Sequence, residues 1–206
     1  MSLPSATRSR MPIAASDLSL GLLAGGRASR LGGLDKAWLR RDGEAQVQRL
    51  ARLYAPQVAQ TWVSANRDPE RYAAVGLRAL GDAIPDCGPL GGLHALSEAC
   101  ATPWLFTVPV DAVNPDASLL PALAAAQNGQ GAYVIDDDGV QPLFALWPVA
   151  PLRIALKQAF AQRRLAVREL QAELAMAGLR LDGLRLGNLN TPDDLAEAGF
   201  VAGEDL

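Results

Sequence analysis

From residue 18 onward, short apolar runs alternate with stretches of helical period, the pattern of strands joined by crossover helices around a mostly parallel sheet. The run 18–24 predicts a first buried strand. Within 45–54, Val47, Leu50, Ala51 and Tyr54 recur at helical spacing, and 58–65 then carries Val58, Trp62 and Val63, predicting a second strand that ends near Asn66. Residues 69–75 suit a short helix and 77–80 a third strand, with Asp82 just past its end. Gly88-Pro89-Leu90-Gly91-Gly92 opens a predicted helix over 93–100, and 104–110 reads as a buried strand that terminates at Asp111. A helix over 115–126, for which Asn114 is the better cap, leads to 132–135 and 143–147. These two runs flank Asp136-Asp137-Asp138-Gly139, a hairpin-like unit that brings one antiparallel strand into the sheet. Helices near 151–161 and 165–177, a last strand at 179–186 and a helix starting at Pro192 complete the pattern. Without repeats or an interdomain linker, the expectation is one α/β domain over 17–206, preceded by a flexible tail over 1–16 that carries Arg8, Arg10, two prolines and no acid.

Composition narrows the function classes. The 206 residues are 50% hydrophobic and 20% charged, enough to bury a sizeable core. A net charge of −3 argues against nucleic acid, which calls for a basic face, so any anionic ligand must be met by local cations. Cys87 and Cys100 lack the spacing of a metal knuckle, one histidine cannot build a zinc site, and both thiols read as reduced. No apolar run approaches a membrane span or a signal peptide, so a cytoplasmic location is expected.

The chemistry concentrates in the stretch Leu22-Leu23-Ala24-Gly25-Gly26-Arg27-Ala28-Ser29-Arg30-Leu31-Gly32-Gly33-Leu34-Asp35-Lys36. Glycines let a backbone bend and bring its N–H donors close to an anion, and Arg27, Arg30 and Lys36 meet the charge. The stretch is not a Walker loop, because Lys36 follows Asp35 and precedes Ala37.

In open α/β sheets ligands bind beyond the carboxyl ends of the strands. The glycine loop, Asn66, Asp82 and Asp111 each lie at such an end, so all can face one crevice. Transfer of a nucleotidyl group to a phosphate acceptor brings two anions together, which cations such as Arg30 and Lys36 screen. Asp111, presented by Val108-Pro109-Val110, is the candidate ligand for Mg2+, a hard cation that takes carboxylate oxygen, phosphate oxygen and water. Asn188 and Asn190 alternate at a predicted strand end and point the same way, which suits hydrogen bonding to a polyfunctional ligand. The acids 136–138 read as a solvated turn and His94 as a packed or surface histidine.

The pattern L-A-G-G-x-x-x-R-L-G-G-x-D-K resembles the opening loop of nucleotidyltransferases that activate sugar and cofactor phosphates, and within them the molybdenum cofactor guanylyltransferase family. The resemblance extends to Ser64-Ala65-Asn66-Arg67, Asp82, Gly88-Pro89-Leu90-Gly91-Gly92-Leu93, Val108-Pro109-Val110-Asp111, Gln141-Pro142-Leu143 and Asn188-Leu189-Asn190-Thr191-Pro192-Asp193-Asp194-Leu195. It implies a Rossmann-like nucleotidyltransferase fold, with a mostly parallel sheet, one antiparallel strand and helices on both faces. It further implies an enzyme that joins GMP from GTP to the phosphate of molybdopterin with release of pyrophosphate, in company with other molybdenum cofactor biosynthesis proteins and acceptor apoenzymes. Carried over by position, Leu23, Ala24, Gly25 and Gly26 cradle the nucleotide, Arg30 and Lys36 contact phosphates, Asp111 holds magnesium, Asn66 and Asp82 lie near base or ribose, and Asn188 and Asn190 face the pterin. Ser64 stands where some relatives carry a second asparagine, so the choice between Ser64 and Asn66 as nucleotide contact stays open, and Gln141 stands where many carry histidine, a departure on the pterin side. Two other readings are a sibling transferase using cytidine triphosphate or a sugar phosphate, and a nucleotide-binding regulator. Ala24-Gly25-Gly26 favours guanine over the first, and the second lacks a Walker-type magnesium ligand.

Overall fold

The computed structural model describes residues 13–25 and 34–202. The strands are β1 (Leu18–Leu23), β2 (Arg40–Arg41), β3 (Glu44–Ala45), β4 (Gln60–Ser64), β5 (Ala79–Leu80), β6 (Trp104–Pro109), β7 (Ala132–Asp136), β8 (Gly139–Pro148) and β9 (Ala177–Arg180). The helices are α1 (Gln46–Tyr54), α2 (Pro69–Ala74), α3 (Pro89–Ala99), α4 (Leu119–Ala126), α5 (Val149–Ala161), α6 (Val167–Glu173) and α7 (Pro192–Glu197). Seven strands form one sheet in the order β5-β4-β1-β6-β8-β7-β9, and β2 and β3 pair as a separate ribbon. β1 pairs in parallel with β4 and β6, β4 with β5, and β7 with β9. Within the seven-stranded sheet only β8 runs against its neighbours, β6 and β7, and it is the single antiparallel strand expected from the hairpin pattern, while the small β2–β3 ribbon is itself antiparallel.

Alternation along β1 sorts the core into two layers. Leu18, Leu20 and Leu22 pack with Val47, Leu50 and Tyr54 of α1 and with Leu119, Leu120 and Leu123 of α4. Leu23 faces the other way, toward Leu90, Leu93 and Leu96 of α3 and, beyond them, Leu152 and Leu156 of α5. Gly21 shares that second face, and a Cβ there would lie 2.8 Å from Leu96 Cδ1, so the missing side chain is what lets α3 press onto the sheet. Helices therefore cover both faces.

Several boundaries differ from the sequence expectation, each for a local reason. α3 starts at Pro89, before the glycines, because proline suits the first helical turn and Leu90 and Leu93 bury completely on its inner face. Asn114 does not cap α4: its Nδ2 donates to the Arg185 carbonyl, while the Asp116 carboxylate accepts the Ser118 N–H at 2.8 Å and starts the turn before Leu119. The last strand ends at Arg180, where Asp182 and Gly183 turn the chain away, the latter at φ +80°. Asn188 and Asn190 consequently sit on an irregular segment, with Asn188 making only an isolated bridge to Ala112.

Gly131, entering β7, has φ +96°, and a Cβ there would run into the Leu146 carbonyl oxygen of the neighbouring strand. Left-handed strain and a clash with backbone act together, so Gly131→Ala should cost about 2–4 kcal/mol. Thermal unfolding checks this: the midpoint should fall by roughly 5–10 °C in a chain of this length.

Candidate active site

Four strand ends converge on one cleft. β1 delivers Leu23, Ala24 and Gly25, β4 delivers Ser64, Asn66 and Arg67, β5 leads to Asp82, and β6 leads to Pro109, Val110 and Asp111. The cleft has a volume of about 590 Å³ and is completed by Lys36 and by Gly88, Pro89 and Gly92 at the start of α3. It opens where the chain order reverses, β4 lying on one side of β1 and β6 on the other, which is the ligand-binding position of open α/β sheets.

The parallel pairing sets the spacing of these loops. The Ala24 N–H donates to the Ser64 carbonyl at 2.9 Å, and the Val110 N–H donates to the Leu23 carbonyl at 3.1 Å, so the three loops leave the sheet in register. α3 comes in over them because it has no side chains at two positions: a Cβ on Gly92 would fall on the Ser64 hydroxyl, and one on Gly91 would lie 2.9 Å from Asp82 Oδ2. These two glycines were expected to open the helix; they instead lie inside it and set its distance from the site.

Two polar constellations occupy the cleft walls. On one side, Asn66 Nδ2 donates to Asp82 Oδ2 at 2.9 Å and the Asp82 N–H donates to Asn66 Oδ1 at 2.7 Å. The pair locks both side chains and leaves Asp82 Oδ1 buried without a partner among the described residues. Ser64, almost fully buried, has an unpartnered hydroxyl beside them. Buried groups of that kind are commonly completed by a ligand or water.

On the other side, Lys36 joins three distant parts of the chain. Its Nζ lies 3.2 Å from Asp111 Oδ2 and donates to Asn190 Oδ1 at 2.9 Å. Lys36 begins a short 3-10 turn capped by Asp35, whose Oδ1 accepts the Ala37 N–H at 3.0 Å, and Trp38 anchors that turn against Tyr72 with ring centroids 5.0 Å apart. The Asp111 loop is fixed from α1: Gln46 Nε2 donates to the Ala112 carbonyl and Arg49 Nη2 to the Val113 carbonyl at 3.1 Å. Gln46 was not singled out from sequence, although its spacing of four from Leu50 already placed it on the inner face of α1. Asn190 is held by α7, where Thr191 and Asp194 form a capping box and the Asp194 carboxylate also accepts the Asn190 N–H. Donation from the Asn190 and Thr191 amides keeps the Asp194 carboxyl below the ordinary carboxylate range.

Of the residues expected at the site, Leu23, Ala24, Gly25, Lys36, Asn66, Asp82 and Asp111 line this cleft. Asn190 reaches it through Lys36, whereas Asn188 is not among the lining residues. Gly26 and Arg30 lie outside the described residues. His94 packs edge-on against Phe160 at 5.5 Å, as a structural histidine does. Asp136 is a clear correction: read as part of a solvated turn, it is fully buried.

Comparison with known proteins bears on this geometry. Residues 21–176 match the MobA-like NTP transferase domain. The chain belongs to that family. It is 37% identical over 190 residues to the molybdenum cofactor guanylyltransferase of Cereibacter sphaeroides, covering 89% of this chain and 96% of that one. The protein of the same name from Pseudomonas aeruginosa is 36% identical over 184 residues, covering 86% and 92%. Among solved structures, molybdopterin-guanine dinucleotide biosynthesis protein A from Archaeoglobus fulgidus superposes with a TM-score of 0.67 at 19% identity, over 88% of this chain and 96% of that one. The 2-C-methyl-D-erythritol 4-phosphate cytidylyltransferase of Thermus thermophilus superposes with a TM-score of 0.61 at 18% identity, over 87% and 96%. The shared fold is thus that of nucleotidyltransferases with more than one base preference.

In this NTP transferase family member, removing the Lys36 ammonium unties Asp111 from Asn190 and takes a cation out of the cleft. Lys36→Ala is expected to slow pyrophosphate release at least about tenfold, with an unchanged circular-dichroism spectrum, since the side chain reaches into a solvent-facing cleft and not into the core.

Proposed function

We propose that this chain transfers GMP from GTP to the terminal phosphate of molybdopterin. A phosphate oxygen of the acceptor attacks the α-phosphorus of GTP, the bond from that phosphorus to the bridging oxygen of the β-phosphate breaks, and pyrophosphate leaves with the molybdopterin guanine dinucleotide as the other product. The observation that carries the reading is the near full-length similarity to guanylyltransferases in a chain whose strand ends gather Lys36, Asn66, Asp82 and Asp111 around one cleft. A phosphate nucleophile is already deprotonated at neutral pH, which agrees with a cleft that contains no histidine among its described lining residues.

The residues divide by position. Leu23, Ala24 and Gly25 cradle the guanine; the Leu23 carbonyl and the Ala24 N–H are engaged within the sheet, so the main chain from the Ala24 carbonyl onward reads the base, and Asn66 and Asp82 lie toward base and ribose. Lys36 and, from the glycine loop, Arg30 meet the phosphates. Gly26 extends the same loop. Asn190, with Asn188 further along the same segment, belongs to the acceptor side. The cytidylyl alternative shares the fold; Ala24-Gly25-Gly26 is what favours guanine.

The carboxylates of the cleft support a divalent cation. Asp35, Asp82, Asp86 and Asp111 line it beside Lys36 and Arg67 among the described residues, and although Arg30 adds a cation in this reading, four carboxylates facing a polyphosphate favour a dication between them. No group of three metal-ligating side chains exists among the described residues. The donor set around Asp111 therefore fits Mg2+, which keeps several waters and is held by one or two carboxylates together with substrate phosphate. When bound there, Mg2+ would neutralise charge on the phosphates and on the departing pyrophosphate. Asp111→Asn should lower magnesium-dependent turnover at least about a hundredfold, with partial recovery in excess magnesium, because an amide is a poorer ligand for a hard dication. A magnesium titration of the variant and the unmodified protein measures this; unchanged metal dependence would move the ligand elsewhere.

Base choice tests the function itself. Guanine presents an N1–H and an exocyclic amine beside an O6 acceptor, and a site built to pair them leaves buried polar groups unmatched when another base enters, at about 1–3 kcal/mol for each. With molybdopterin as acceptor, GTP should turn over at least about tenfold faster than CTP or ATP, read as dinucleotide formed. Equal rates for GTP and CTP would transfer the assignment to the sibling class.

A further inference from the structure

Asp136 is the one fully buried acid among the described residues, and nothing in the transfer chemistry uses it. It ends β7, and its carboxylate is met by N–H donors alone. Oδ1 accepts the Asp138 N–H at 3.0 Å and Gln141 Nε2 at 3.1 Å; Oδ2 accepts Gln141 Nε2 at 3.2 Å and the Leu186 N–H at 2.9 Å. The cations nearby are engaged by its neighbours, Arg180 with Asp137 and Asp182, and Arg185 with Asp138. Burying a carboxylate costs free energy that an apolar side chain at the same place would not, so stability alone does not account for it.

What the carboxylate does is fix one amide, and that amide controls the acceptor edge of the cleft. The Leu186 carbonyl accepts the N–H groups of Val113 and Asn114 at 3.0 and 2.9 Å, just beyond Asp111. Three residues later the Leu189 N–H donates to the Asp111 carbonyl at 2.8 Å, and Asn190 Oδ1 then receives Lys36. The segment 186–190 is thus a strap pinned by Asp136 at one end and by Asp111 and Lys36 at the other. An acceptor-only group suits this role, because every contact it makes is an N–H and a carboxamide would turn a donor toward one of them. We propose that Asp136 is a positioning residue, setting the placement of the strap and through it of Asn190 and the Asp111 loop toward the acceptor phosphate. The proposal rests on the reading of that edge as the acceptor side.

The test is Asp136→Asn in the full chain. The KM for molybdopterin should rise about tenfold while the affinity for a fluorescent GTP analogue stays within about twofold, because the strap touches the acceptor edge and not the Leu23 to Gly25 loop. Hydrogen exchange followed by mass spectrometry should accelerate at least about tenfold over 186–190, with β1 unchanged. Ser19→Ala, which removes a buried hydrogen bond to Thr102 at the far end of β1, should move neither constant. An unchanged acceptor KM in soluble Asp136→Asn, or acceptor KM and nucleotide affinity weakening in parallel, overturns the proposal. If that variant is insoluble, Gln141→Ala decides instead: it removes the donor that touches both oxygens, and hydrogen exchange over 186–190 should accelerate about threefold, no acceleration being a refutation. Should the unmodified protein make no dinucleotide at all, the guanylyl reading fails, and the exchange rates over 186–190 decide the strap on their own.

Discussion

The constraint on which the molecule depends is that β1 is buried at all six of its positions while paired in parallel on both edges. A strand so placed needs a helical layer on each face, and parallel neighbours need crossover connections that return each chain to the same starting edge. All loops leaving the carboxyl ends then meet at one rim. The cleft is a consequence of this arrangement before any polar residue is considered. Leu20 and Leu22 hold one layer, Leu23 the other, and Gly21 lets α3 approach closely enough that Gly91 and Gly92 can pass over Asp82 and Ser64. Core packing and site geometry are therefore one problem in this protein, since the approach of α3 to the sheet also sets how closely Gly91 and Gly92 stand over Asp82 and Ser64 at the rim of the cleft.

Lys36 plays the corresponding part among polar groups. Two of the three donors of its ammonium are occupied among the described residues, by Asp111 and Asn190, so the long side chain is held in one direction instead of sampling many. The Asp111 loop is in turn held through backbone carbonyls, that of Asp111 by the Leu189 N–H of the strap and those of Ala112 and Val113 by Gln46 and Arg49, while the Asp111 carboxylate lines the cleft. Hydrogen bonds to backbone atoms thus fix the loop, while the Asp111 carboxylate is oriented by Lys36 within the cleft, an arrangement of the kind preorganised electrostatic sites use.

Much of this was legible in the chain. Six strands ordered in one direction, the single opposing strand and the gathering of Lys36, Asn66, Asp82 and Asp111 followed from apolar periodicity and from the position of each polar residue at the end of a run. The misses share one physical origin. Asp136 looked like turn chemistry because three acids in a row before glycine are usually solvated, and only the return of residue 186, fifty positions later, buries it. Gly91 and Gly92 were read as the lead-in to a helix starting at Leu93, and they lie inside it where the helix packs against Ser64 and Asp82 from other segments. The overlong last strand was an error of the same kind, since 181–186 is apolar enough for a strand but has its amides claimed by Ile135 and Asp136 as the chain turns. Local pattern predicts what a segment can do, and long-range partners decide among the options.

The acidity of the cleft walls has a further consequence for selectivity. A pocket that bound phosphate by cations alone would hold pyrophosphate, itself a polyanion, tightly and release it slowly. On the proposed function, Asp35, Asp82, Asp86 and Asp111 among the described lining residues oppose a bare polyanion even as Lys36, Arg67 and the loop arginines attract it, so binding would favour a ligand that arrives with a cation. Triphosphate chains chelate divalent ions more strongly than single phosphates, so the acids favour the metal-bound triphosphate at the expense of simpler anions. In the proposed reaction the same repulsion would act on pyrophosphate once its link to the nucleotide is cut, favouring its release. The carboxylates in a phosphate site are thus not at odds with its purpose: they make affinity conditional on the charge state of the ligand, which a purely cationic loop could not do.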